Sequence, residues 1–308
     1  MTVDNEPMPT IDTRPSLGLR STRTESVERT TSDAAETQPS TPTPPPPAVD
    51  WTKTVDPKNQ AAARARAAAT VANPQAAALR TQNEAAEMAA VGGANKPGVL
   101  LPQGGDASQG TTVTIHGING DPSDVLPLGE RAANKGEATA TFAWDDRSRR
   151  LGDSADDFAR AVKDVLKKNP DAPLTINAHS MGGRVAAVAL SRLEKEGALA
   201  GRDVRLNMVA PPLQGFASAN FAGMGAMFSS SLRSSIDMGS SSDFQSELEA
   251  ARLPNVKVRV FGGSADDIAQ IDDDWKNIAR NLAGGREPTV LLDADHMSAI
   301  TAAAQKLR

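Results

Sequence analysis

Ala178-His179-Ser180-Met181-Gly182-Gly183 lies between an apolar run, Pro173–Ala178, and a small-residue stretch with helical spacing. A serine at such a junction sits on a sharp strand-to-helix turn. Its hydroxyl is lifted clear of the backbone, and the N-terminus of the helix faces the incoming group. Backbone approaches backbone closely there, so the neighbours must be small. The pattern is that of a nucleophile elbow, written G-x-S-x-G, with Ala178 in place of the first glycine.

Outward from this point, short apolar strands alternate with amphipathic helices from about residue 98. Strands are predicted at 111–115, 138–143, 174–178, 204–209, 256–261 and 289–292. Between them, Phe158/Val162/Val165, Val185/Val188/Leu193 and Ile268/Ile271/Trp275/Ile278/Leu282 recur at the spacing of one helix face. The fold class is therefore α/β: a mostly parallel sheet with helices on both faces. Ligands of such sheets bind beyond the carboxyl ends of the strands.

The N-terminal third reads differently. Residues 1–50 are rich in Ser, Thr and Pro and end in the run Pro44–Pro47; with so little apolar surface, a disordered tail is expected. Residues 51–97 read as an Ala-rich helical appendage, broken into two short helices at Asn73-Pro74. Alanine buries little, so loose packing is expected, with a partner-binding helix as the sharper reading. Residues 98–308 form the α/β domain.

Composition excludes several function classes. The net charge of −5 comes without a basic face, so nucleic acid is not an expected partner. No apolar run is long enough to span a bilayer, and no basic stretch followed by an apolar one marks a secretory leader. Cytoplasm is the default location and leaderless export the alternative. Cysteine and tyrosine are absent, which removes thiol nucleophiles, Cys-ligated metal and phenolic acid–base groups. No metal or cofactor is expected.

A serine nucleophile needs a base. The chain has three histidines, His116, His179 and His296. His179 adjoins the serine on a tight turn and points elsewhere, and His116 belongs to another motif. His296, after the last strand, is the predicted base. Its orienting carboxylate is predicted at Asp266, beyond Gly262-Gly263 at a strand end, with Asp267 as the alternative. Asp293 and Asp295 flank the histidine too closely, and Asp272–Asp274 read as a solvated helix face. An acyl-transfer transition state also needs N–H donors for its oxyanion. The amide after the nucleophile, Met181, is one. The other is expected from the loop His116-Gly117-Ile118-Asn119-Gly120, at Ile118 or else Asn119.

These stretches together, with Val209-Ala-Pro-Pro-Leu-Gln-Gly215, resemble α/β-hydrolases, and within them bacterial lipases and esterases. The Ala178–Gly183 elbow, alanine included, is similar to that of small bacterial lipases. The resemblance covers residues 98–308, about two thirds of the chain. It implies a cofactor-free serine hydrolase of acyl esters, small-molecule or lipid. The same triad would serve a thioesterase or acyltransferase, and a non-catalytic binding protein on this scaffold is the competing class. Residues 215–244 hold four of the seven phenylalanines among Gly and Ser. They read as a lid or acyl-binding wall in peripheral contact with lipid, with Phe216, Phe221, Met224 and Phe228 as substrate-binding residues, or else as an insertion with its own small core covering the sheet edge.

Overall fold

Among the described residues, seven strands form one sheet in the order β1-β3-β2-β4-β5-β6-β7. They are β1 Val99–Gly104, β2 Asp106–Ile115, β3 Glu137–Ala143, β4 Leu174–His179, β5 Val204–Val209, β6 Val256–Gly263 and β7 Thr289–Leu291. The computed structural model of the chain describes residues 74–215 and 234–307. Every neighbouring pair is parallel except the edge pair, where β1 runs antiparallel to β3. The fold class is α/β, a mostly parallel sheet with helices packed against it. β1 has no counterpart among the predicted strands. It carries Pro102, is only half buried, and has a bulge between Pro102 and Gly104, so it lacks a buried strand's apolar pattern.

The helices are α1 Pro74–Val91, α2 Leu126–Asn134, α3 Leu151–Lys168, α4 Met181–Lys195, α5 Ser235–Met238, α6 Asp243–Ala250, α7 Asp273–Leu282 and α8 Ser298–Lys306. In α3, Leu151, Ala155, Phe158, Val162 and Leu166 are buried at spacings of three and four, while Lys167 and Lys168 close its last turn, where cations suit the helix dipole. Phe158 meets Phe142 of β3 edge-on at 4.9 Å. Burying one such ring is worth about 1.5–3 kcal/mol. Helix α4 is buried from Met181 to Ser191, and its small residues, Gly182, Gly183, Ala186, Ala187 and Ala189, let it pack closely against α3 and the sheet. A second, smaller core joins Val125, Leu128, Phe261, Leu291 and Ile300 on the opposite face under α2 and α8.

Helices α5, α6 and α7 also depart from expectation. Helix α7 begins at Asp273, so Ile268 and Ile271 precede it, and Asp272 caps it by accepting from Trp275 N at 2.7 Å. Met238 and Phe244, grouped with the lid by composition, lie in α5 and α6 with their side chains in the main core. Phe216, Phe221, Met224 and Phe228 lie outside the described residues, as do residues 57–73.

Helix α1 starts on Pro74, where the missing N–H costs nothing. It docks through polar side chains. Glu87 is 5% exposed, and its Oε1 accepts from Trp144 N at 3.1 Å. Arg80 pairs with Asp124 at 3.2 Å, and Glu84 pairs with Arg147 at the same distance. Among the described residues, no helix is long and apolar enough to cross a membrane.

Candidate active site

The three central strands β2, β4 and β5 run in register, with Ile115 beside Ala178 and Ala178 beside Met208. Ser180 follows β4 directly, with φ 52° and ψ −126°, a conformation that L-residues adopt only under constraint, at about 1–3 kcal/mol. The constraint comes from both sides. Ser180 N donates to Val209 O at 2.8 Å, and Ser180 O accepts from Gly183 N at 2.9 Å. A Cβ on Gly182 would lie 2.3 Å from His116 O, and one on Gly117 would lie 2.7 Å from Ser180 Cβ. The small residues of the motif therefore reflect close approach between the β2 and β4 loops.

The loops after β6 and β7 are stitched together. Ser264 N donates to Leu291 O at 2.9 Å, Ala265 N to Ala294 O at 3.0 Å, and Asp293 N to Ser264 Oγ at 2.9 Å. Gly263 permits this, since a Cβ there would lie 2.3 Å from Ala294 O. The stitching brings Asp266 to His296, with Asp266 Oδ2 2.8 Å from His296 Nδ1. On the other side of the ring, His296 Nε2 lies 2.8 Å from Ser180 Oγ. Asp266 Oδ1 accepts from Ile268 N at 2.9 Å and Ala269 N at 2.8 Å. Burial works to raise the Asp266 carboxyl, but the His296 bond and charge and these two amides outweigh it and hold it below the ordinary value. Asp267, the alternative, is exposed. Asp295 accepts from Met297 N and Ser298 N and so starts α8, rather than facing the imidazole.

His179 is buried and donates from Nε2 to the backbone carbonyl of His296 at 3.0 Å. Burial, then the neighbouring His296 ring 4.9 Å away, push it down to about 3, so it is neutral. It braces the loop that carries His296. Met181 is buried at the first position of α4, while Ile118 is half-buried against the main core. Asn119 has φ 53° in the turn Gly117–Gly120, which Gly120 N closes onto Gly117 O at 3.1 Å.

Two buried groups escaped sequence reasoning. Glu87 faces His116 Nε2 at 2.7 Å. Asp146 is buried and pushed up to about 7 by burial, against the opposing charge of His116. Arg80, Glu84 and Glu87 share one helix face, a spacing that marks a polar side but not its burial; nothing local marked the second. Among the described residues, no cluster of three or more His, Asp or Glu side chains is placed to hold a metal.

No protein-family model matches the sequence. No curated protein matches it either. Similar solved structures include the mature form of a Bacillus licheniformis lipase, at 15% identity and TM-score 0.48, covering 67% of this chain and 94% of that one. A monoacylglycerol lipase of Paleococcus ferrophilus is 14% identical with TM-score 0.46, over 65% and 90% of the two chains. The thioesterase domain of the curacin biosynthetic pathway is 15% identical with TM-score 0.46, over 68% and 93%. At these identities none of the three fixes an activity for this chain.

Proposed function

We propose that this protein is a serine hydrolase of carboxylic esters. The observation that carries the reading is the unbroken relay from Ser180 Oγ through His296 to Asp266, with both contacts at 2.8 Å. His296 Nε2 takes the hydroxyl proton as Oγ attacks the acyl carbon, and Asp266 keeps the other ring proton on Nδ1 and stabilises the imidazolium. The amides of Met181 and Ile118 receive the oxyanion. His296 then passes its proton to the departing alcohol. In the second half-reaction it activates the water that releases the acid from Ser180.

The strained Ser180 backbone and the cost of burying Asp266 support this reading, because a merely structural trio would require neither. The test is turnover of p-nitrophenyl esters of increasing acyl length, with a fluorophosphonate probe alongside. Wild type should label stoichiometrically and Ser180→Ala should neither label nor turn over. A folded wild-type protein that takes no probe would overturn the proposal.

A further inference from the structure

The carbonyl of Gly117 and the amide of Ile118 belong to one peptide plane, and in a trans peptide they point in opposite directions. Whatever fixes that carbonyl into the loop therefore turns the Ile118 N–H outward. Gly117 O accepts from Gly120 N at 3.1 Å and lies 2.7 Å from His116 Nδ1. Only a protonated nitrogen can donate to a carbonyl, so Nδ1 carries a hydrogen. On the far side of the ring, His116 Nε2 faces Glu87 Oε1 at 2.7 Å, and a carboxylate only accepts. Both ring nitrogens thus act as donors, which defines an imidazolium.

This buried charge is matched locally. His116 is fully buried and Glu87 nearly so. Burial opposes the charged ring, but the charge and hydrogen bond of Glu87, then the charge of Asp146, raise it to about 9. A neutral ring has one proton to share between two acceptors. With that proton on Nε2, the Nδ1 lone pair would face the Gly117 carbonyl and the peptide plane would be released. Further ties from α1 reach the same loop and the turn after it: Arg80 donates to Asn119 O and Asp124, and Asn83 donates to Ser123 at 3.5 Å.

We propose that Glu87 is a positioning residue for the oxyanion donor. By keeping a proton on both nitrogens of His116, it fixes the Gly117–Ile118 peptide and aims the Ile118 amide at the acyl oxygen. Helix α1, outside the stretch that resembles a hydrolase, is then a working part of the site. The inference rests on the ester-hydrolase reading.

The test is Glu87→Gln in the full chain. Losing an oxyanion donor costs about 10²–10³ in kcat, and misaiming one should cost at least about tenfold with KM nearly unchanged. The double variant Glu87→Gln/His116→Asn supplies an amide donor where Nδ1 stood and removes both charges. It should recover kcat to within about threefold, a rescue that a purely structural role would not give. Nitrogen-15 spectra of the His116 ring should show two N–H protons in wild type at neutral pH and one in Glu87→Gln. A folded Glu87→Gln protein with wild-type kcat, or a singly protonated His116 in wild type, would overturn the inference. If wild type neither labels nor hydrolyses, the hydrolase reading fails, while the ring spectra still decide the Glu87–His116 arrangement.

Discussion

Asp266 and Asp267 are chemically identical neighbours with opposite surroundings. Asp266 receives two backbone amides on one oxygen and His296 on the other, whereas Asp267 is exposed. Asp266→Asn keeps the shape but loses one acceptor. With the carboxamide nitrogen toward His296, the ring must turn its lone pair to it and present Nε2–H to Ser180, which is the wrong tautomer. Ester turnover should fall by about 10³–10⁴-fold, and Asp267→Asn should stay within about twofold of wild type. Equal losses in the two variants would remove Asp266 from its place. Gly117→Ala tests the close approach of the loops in the same way. Its Cβ would meet Ser180 Cβ at 2.7 Å, so fluorophosphonate labelling should slow at least tenfold. The unfolding free energy should drop by only about 1–3 kcal/mol, as expected of an overpacked contact.

At the scale of elements, β2–β7 were legible because buried parallel strands read as short apolar runs and their spacing leaves room for crossover helices. Ser180, Asp266 and His296 were legible for the same reason, since each follows a strand end. What could not be read locally is docking through polar groups. The alanine-rich composition of α1 gives no sign that Glu87 would be buried against His116, because burial of a charge depends on a partner 29 residues away. Likewise Phe244 looked like part of a mobile apolar stretch. Its ring instead lies 5.4 Å from the guanidinium of Arg184, which is fully buried next to the elbow. Helix α6 docks through that arginine. Gln245 accepts from Arg184 at 2.6 Å and donates to Leu213 O at 2.7 Å and Glu249 at 2.8 Å. Gln245→Ala would leave a buried guanidinium short of its acceptor and a carbonyl short of its donor. We expect a loss of about 3 kcal/mol in urea denaturation. Gln245→Glu keeps the arginine's acceptor but loses both donors, and should fall between the two. An alanine variant as stable as wild type would show that α6 is held by its apolar side alone.

The whole molecule should register its buried ionisable groups as a pH profile with a plateau, and the sign follows group by group. His179 is pushed down to about 3 from an ordinary 6.5, so below pH 6.5 the unfolded chain binds its proton first and stability falls with falling pH. Asp146 is pushed up to about 7 from 3.8, so between those values the folded state holds the extra proton and stability falls with rising pH. From pH 3.8 to 6.5 the two slopes oppose each other, each at most about 1.4 kcal/mol per pH unit. Below that window Asp266, held lower than 3.8, adds its loss on the acid side. Above pH 6.5 the contribution of His116, raised to about 9, is progressively lost, while the Asp146 penalty goes on building until about pH 7. One oxygen of Asp146, Oδ2, has no hydrogen-bond partner among the described residues. Asp146→Asn keeps its shape without a proton to release, and His116 retains Glu87 as its nearer partner. Calorimetric Tm values at pH 4.5, 6 and 8 should therefore show the variant gaining on wild type as pH rises, with the largest advantage at pH 8. A Tm difference independent of pH would mean that Asp146 is already ionised in the folded protein, with its charge balanced by His116.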